Sequence, residues 1–276
     1  MGIARMNVAK KRDPSVTYLN KLGYNVVKLP RVGIEPMDVI GRDQTMQWLG
    51  PIDSIWSSAI AKPQPGPPKP ASAVNGQRTD ALDLSVGLNI LGNTLAAFGV
   101  SVPSLDLAYK SAHAVQFSYN NVTITTVAPF AAGSYLAKGE LQSDNPTVKN
   151  YFLSGQAKAF LIIQVLKSNS LTVSATDSHG TAVDVDFSVF QGVDAKVGIK
   201  PSSSGNSSVS FSGPDAITFG FAVQQIAREG DLWSLHGAAP SADIAFAVPG
   251  VGAGRESGAP APTVFDTGAL DCRLDI

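Results

Sequence analysis

Three histidines, one cysteine and one Asp-Ser-His run are the places in this 276-residue chain where catalytic chemistry would have to start. His113, His179 and His236 lie far apart, and none stands in a metal-ligand spacing such as H-E-x-x-H, so they read as surface or packed histidines. Asp177-Ser178-His179 holds the residue types of a triad, but sequence neighbours rarely take triad geometry and the run reads as a turn. Cys272 has no base beside it. There is no G-x-S-x-G elbow or P-loop, and the glycines of GVGAG at 250–254 miss the dinucleotide spacing. The expectation is a protein that is not an enzyme and uses neither metal nor cofactor.

The elements that would have held such groups carry the stronger pattern. Val183, Val185, Phe187, Val189, Val193, Ala195, Val197 and Ile199 occupy odd positions, while Asp184, Asp186, Ser188, Asp194, Lys196 and Lys200 occupy even ones. After PSSSGN the odd positions resume with Val209, Phe211, Ile217, Phe219, Phe221 and Val223. This predicts one long amphipathic β-hairpin with a bulge near Gly213-Pro214. Each arm keeps its alternation for roughly fifteen residues, against about five or six in an ordinary strand. About 9–11 suffice to cross a bilayer when one face is apolar, the other lines water and neighbours close the edges. A long bent hairpin at the centre of a soluble sheet fits the same alternation.

Around it, Leu84, Leu88, Leu91, Leu95 and Phe98 recur at four and three residue steps, predicting a helix from about Asp80 to Phe98. Thr79 or Asp80 would cap its start and Gly99 its end. Val115, Phe117 and Tyr119 alternate with polar neighbours as a strand with one wet face. The run AKAFLIIQVL at 157–166 reads as a central strand or a buried helix segment. KPQPGPPKP at 62–70 reads as an extended loop, and 250–262 as a flexible tether before the apolar residues Val264, Phe265, Leu270, Leu274 and Ile276.

Apolar residues make up 44% of the chain and charged residues only 16%, so it can bury a sizeable core beneath a bland surface. The net charge of −1 argues against nucleic acid as a partner. It hides an asymmetry: Arg5, Lys10, Lys11, Arg12, Lys21, Lys28, Arg31 and Arg42 make the front basic, and the charged residues of 229–276 are mostly acidic. One cysteine, no apolar signal segment in MGIARMNVAKKRDPS and no long apolar run predict a cytoplasmic resting location without a spanning helix.

YLNKLGYNVVKLPRVGIEPMDVIG, followed by WLGPIDSIW at 48–56, resembles the start of the bacterial gasdermins. The matching residues are Gly23, Tyr24, Val26, Leu29, Pro30, Arg31, Ile34 and Pro36, then Leu49, Gly50 and Ile52. The resemblance implies an α+β fold: a central twisted, mostly antiparallel β-sheet with long amphipathic hairpins, peripheral helices and a short C-terminal autoinhibitory tail. It implies a pore-forming domain over 1–237 with a Pro-rich loop at 62–76, a cleavable linker over 238–262 and the tail over 263–276.

An activating protease would release the tail. Resting monomers would then bind anionic inner-membrane lipid, assemble into a homo-oligomeric β-barrel and kill the cell in antiphage defence. Val183, Val185, Phe187, Val189, Val197, Ile199, Ile217, Phe219, Phe221 and Val223 would insert, and Lys10, Lys11, Arg12, Lys28 and Arg31 would meet head groups. Arg255 suits a trypsin-like or Arg-specific caspase-like protease, and Phe246 or Val248 others. Bacterial gasdermins share a palmitoylated N-terminal cysteine that has no counterpart here, so lipidation is not carried over. The alternative is a β-rich module that binds a ligand or partner on a fixed hairpin.

Overall fold

Lys158–Thr176 forms one strand of 19 residues, and its two halves follow different sequence rules. The first half carries apolar residues on both faces, and Leu161, Ile162, Ile163 and Val165 are all buried. The second alternates, with Leu171, Val173 and Ala175 buried and the residues between them half-exposed. A strand covered on both sides thus continues into a strand with one wet face.

The computed structural model describes residues 24–43, 46–76, 78, 81–191, 197–201, 206–237 and 246–247. In chain order the strands are β1 (Asn25–Arg31), β2 (Asp38–Arg42), β3 (Met46–Pro51), β4 (Trp56–Ser58), β5 (Lys69–Pro70), β6 (Leu82–Asp83) and β7 (Ala114–Asn120). They continue with β8 (Thr123–Thr126), β9 (Gly139–Leu141), β10 (Lys158–Thr176), β11 (Gly198–Pro201), β12 (Ser208–Glu229), β13 (Leu232–Gly237) and β14 (Phe246–Ala247). The helices used below are α1 (Leu84–Ala97), α2 (Leu105–Ala108) and α3 (Pro129–Ala137).

The main sheet runs β1-β12-β10-β2-β3-β14, and only the β3–β14 pair on that path is parallel. β12 flanks one side of β10 along most of its length; β2, β8 and β7 follow one another along the other. On one face of the lower half, α3 contributes Ala132, Tyr135 and Leu136 to a core with Trp56, Leu161 and Ile163. On the other face Ile34, Ile40, Phe160, Ile162, Val165, Phe221 and Val223 pack together. The largest core lies under the upper half, where α1 buries Leu91 and Leu95. The fold class is the expected α+β, with a mostly antiparallel sheet and peripheral helices.

α1 starts at Leu84 rather than Asp80, with Asp83 at its N-cap making no side-chain cap bond. Gly99, at φ +85°, lets the chain leave the helix, as its position predicts. The proline-dense stretch lies along the edge of β8. Gly66 N donates to Thr126 O at 2.9 Å, Lys69 pairs with Ile124, and Ala71 N donates to Val122 O at 2.9 Å. A proline-rich strap covers this edge while offering few donors of its own.

The expected hairpin differs in one arm. β12, at 22 residues, is longer than expected, but its long partner is β10, not 183–199. After Thr176 the chain turns, Asp177 N donating to Thr181 O at 2.8 Å, and Phe187–Phe190 is a 3-10 turn. Within 183–199 the only strand residues described are those opening β11, which pairs with β12 from Gly198↔Ser212. The physical reason is burial. A lone two-stranded arm would expose its apolar face to water, whereas the folded-back chain places Val185, Phe190 and Val197 in the upper core.

Candidate functional site

In the upper half, β6, β7, β10 and β12 lie side by side, and their registers align every side-chain row. One row set is apolar: Leu82 beside Val115, then Val115, Phe117 and Tyr119 beside Ala175, Val173 and Leu171, with Leu171 and Val173 beside Phe211 and Val209. Tyr119 also stacks on Phe219, their ring centroids 4.0 Å apart. The opposite rows are polar and, across β7, β10 and β12, uncharged: Gln116, Ser118 and Asn120 beside Ser174, Thr172 and Ser170, which pair in turn with Ser208, Ser210 and Ser212, with Arg78 and Lys200 at the two ends of the Ser118-Thr172-Ser210 row. Thr172 Oγ1 and Ser210 Oγ are 2.8 Å apart, and Asn120 Nδ2 donates to Thr172 Oγ1 at 2.9 Å. Ordinary wet faces carry Lys and Glu; this one carries hydroxyls and amides.

A polar seam separates this block from the double-faced base. There β8 hands over to β7 beside β10, and β12 bulges: Ser168 pairs with Ile217, but Ser170 with Ser212. The bulge includes Gly213-Pro214, as the sequence predicts. Ser168, 1% exposed, donates its hydroxyl to Asn120 O and accepts from Ser170 N at 3.0 Å. Asn121 takes φ +52° to make the corner. Phe98, at the end of α1, closes on the bulge, since a Cβ on Gly213 would lie 2.4 Å from its ring.

The expected inserting residues divide at this seam. Val183 and Val185 follow the turn after β10, Phe187 and Val189 sit in the 3-10 turn, and Val197 and Ile199 belong to the upper core or pack against it. Ile217, Phe219, Phe221 and Val223 lie below the bulge and are buried. Lys28 and Arg31 lie on β1, where Arg31 pairs with Thr218. Phe246 pairs with Met46 on β3. Lys10, Lys11, Arg12, Val248, Arg255, Val264, Phe265, Leu270, Leu274 and Ile276 lie outside the described residues.

Asp177 Oδ1 accepts from the backbone N–H of His179 and Thr181, at 2.8 and 2.9 Å, so the Asp-Ser-His run is a turn cap. His236 sits on β13, 2.7 Å from Ser234 Oγ and 3.1 Å from Glu229.

β14, at the far end of the pairing order, lies beside β1, so the sheet curls toward closure with a strand from beyond residue 237 in the gap. A two-residue parallel pairing, Phe246↔Met46 and Ala247↔Gln47, holds that strand to β3. The loop between β1 and β2 is clasped to the base by an ion pair of Glu35 with Lys167, the last charge on β10 before the seam. Asp38, at the start of β2, accepts from Trp48 Nε1 at 2.9 Å and from Glu35 N at 3.0 Å. Burial holds its pKa above the ordinary carboxylate value despite these bonds. Sequence reasoning missed the β10–β12 pairing and the strand at Phe246. Strand pairing across forty residues leaves no local signature, and a two-residue strand has no period.

The curled, mostly antiparallel sheet resembles the fold of a bacterial gasdermin from Bradyrhizobium tropiciagri, with a TM-score of 0.58 at 18% identity over 81% of this chain and 90% of that one. The Bacterial Gasdermin Family pattern matches residues 27–237. A gasdermin bGSDM of Vitiosangium sp. is 36% identical over 247 residues, 87% of this chain and 90% of the relative. A gasdermin bGSDM of Lysobacter enzymogenes is 30% identical over 232 residues, 79% and 82% of the two chains. The chain therefore belongs to the bacterial gasdermin family, whose members are pore-forming rather than enzymatic proteins.

Proposed function

We propose that this protein is held inactive by its C-terminal tail and forms a β-barrel pore once a protease removes it. The observation that carries the reading is the block β7-β10-β12, with one apolar face and one polar face of hydroxyls and amides. A membrane barrel needs lipid on one side and water on the other, with no charge toward lipid. Among the described residues no helix is long and apolar enough to cross a membrane, so crossing falls to strands.

The β10–β12 register supports the second arm as well. Continued nine and eleven residues beyond Ser174↔Ser208, it pairs Val183 with Ile199 and Val185 with Val197. The alternation of 183–199 is then the pattern of the inserted hairpin, folded back at rest because a lone arm has no neighbours. Many copies side by side supply them and satisfy every edge.

In this reading the tail over 263–276 blocks assembly, and β14 is where its linker meets the curl. Cutting within 238–262, with Arg255 the favoured site because Phe246 is strand-paired, leaves a pairing too short to hold. The protein rests in the cytoplasm. The freed monomer meets anionic lipid of the inner membrane through Lys10, Lys11, Arg12, Lys28 and Arg31, at about 1 kcal/mol per cation, and assembles with copies of itself. The outcome is cell death in antiphage defence.

The test is dye release from anionic liposomes by the full chain with an engineered protease site between Gly250 and Pro262. Leakage only after cutting is expected. A folded, fully cut protein that leaks nothing contradicts the proposal and favours the β-rich binding module.

A further inference from the structure

We infer that β11 is a removable guard on the upper edge of β12, and that the strand at 78–83 of a second copy of this chain is what takes its place. The inference rests on the pore reading and names the two edges through which copies join.

Strand direction singles β11 out. β7 and β12 both run antiparallel to β10, and residues 78–83 run antiparallel to β7 through Arg78↔Ser118, Leu82↔Val115 and Asp83↔Ala114. The 78–83 strand and β10 therefore point one way, β7 and β12 the other. β11 pairs antiparallel with β12, so it points the same way as 78–83. A neighbour's 78–83 strand laid against β11 makes a parallel junction; laid against β12 it makes an antiparallel one. A ring of identical copies stays antiparallel throughout only if each gives an even number of strands, as closed membrane barrels do. The 78–83 strand, β7, β10 and β12 make four, and β11 makes five. β11 has to leave for the ring to close without parallel junctions.

At rest β11 has the marks of an edge closed to partners. It is four residues long, Gly198–Pro201. Lys200 is exposed on it, and Pro201 brings no N–H. Short length, lysine and proline are the devices by which sheets keep edge strands from pairing with other chains. Lys200 sits beside Ser210, whose row continues through Thr172 and Ser118 to the exposed Arg78, so the row ends in a cation at both edges. Resting copies brought edge to edge set Arg78 against Lys200, and like charges directly opposite repel.

β11 is also weakly held. Its ladder runs only from Gly198↔Ser212 to Pro201↔Val209, with a glycine and a proline at its ends. Below the bulge the same edge of β12 is held by β1, at Val26↔Gly220, and by β13, at Ile226↔Leu235, so the change of partner is confined to the block above. In the continued β10–β12 register Lys200 lies opposite Ala182, far beyond the row of Ser210, and an arriving Arg78 meets a serine in place of a lysine. Among the described residues no strand pairs with the outer edge of β6, which leaves that edge open to its partner.

The experiment uses a Cys272→Ser chain carrying the engineered cleavage site. Lys200→Cys with Ser210→Cys, directly opposite each other, locks β11 to β12 when oxidised. The oxidised, cut chain is expected to release dye from anionic liposomes about tenfold more slowly than its parent or worse, and reductant to restore release. Arg78→Cys chains are then mixed with Ser208→Cys, Ser210→Cys or Ser212→Cys chains, three positions that cover the stagger a barrel imposes. A disulfide-linked dimer is expected in one of these mixtures after cutting on liposomes, and in none before. A locked chain that leaks like its parent, or a link already formed between uncut chains, overturns the guard. Dye release with no link in any mixture overturns the partner strand but not the pore. Failure of the folded, cut parent chain to release dye overturns both readings.

Discussion

Asp38 shows how a single buried carboxylate ties the base of the sheet to pH. Its pKa is raised by burial, so the folded state holds a proton more readily than the unfolded chain. Its contribution to stability is fullest below the ordinary Asp pKa and is lost as pH rises through the raised value. Asp38→Asn, which keeps an acceptor for Trp48, should therefore stabilise the resting fold at pH 7, with the gain lost at acidic pH where Asp38 is protonated. Urea denaturation at both pH values measures it; an equal gain at both would show that the charge is not the cause. Gly87 makes a second residue-scale case. Alanine usually strengthens a helix by up to about 1 kcal/mol over glycine. Here its Cβ would lie 2.0 Å from Val115 Cγ2, so Gly87→Ala should destabilise by about 1–3 kcal/mol. Adding Val115→Ala should recover part of that loss in the same denaturation assay. Little of this was legible beforehand: the carboxylate and the glycine are visible in the sequence, but their neighbours come from distant strands.

At the scale of elements, the proposed rearrangement divides at the seam. Ser168→Ala removes the hydroxyl bonded to Asn120 O and Ser170 N, at a cost of about 1–3 kcal/mol. The expected result is faster amide exchange in β7 and in β10 beyond Ser168 than in the base at Leu161–Ile163. Uniform loss of protection would mean that the two halves are one unit. Local pattern made several of these elements readable. Leucines at four and three residue steps marked α1, continuous apolarity marked the base of β10, and Gly213-Pro214 marked the bulge. The fold-back of 183–199 was not readable, because alternation records which side chains share a face of a strand and says nothing about whether neighbours exist to form it.

For the whole molecule, the two ends carry opposite charge: basic residues cluster before residue 43 and acids after 228. Removing the tail should expose an attraction for anionic lipid that weakens with salt. Vesicle flotation of the cut protein is therefore expected to fall severalfold between about 0.1 and 0.5 M salt, and binding indifferent to salt would remove the basic front from the account. On the proposed reading, the curl from β1 to β14 and the β7-β10-β12 block belong to one design, in which assembly supplies the strand neighbours that a single copy lacks. The most direct test of that claim is current across a planar anionic bilayer exposed to the full chain before and after cutting between Gly250 and Pro262. Large, stable, nearly voltage-independent steps that begin only after cutting are the predicted result. A bilayer that stays sealed under folded, fully cut protein would contradict it.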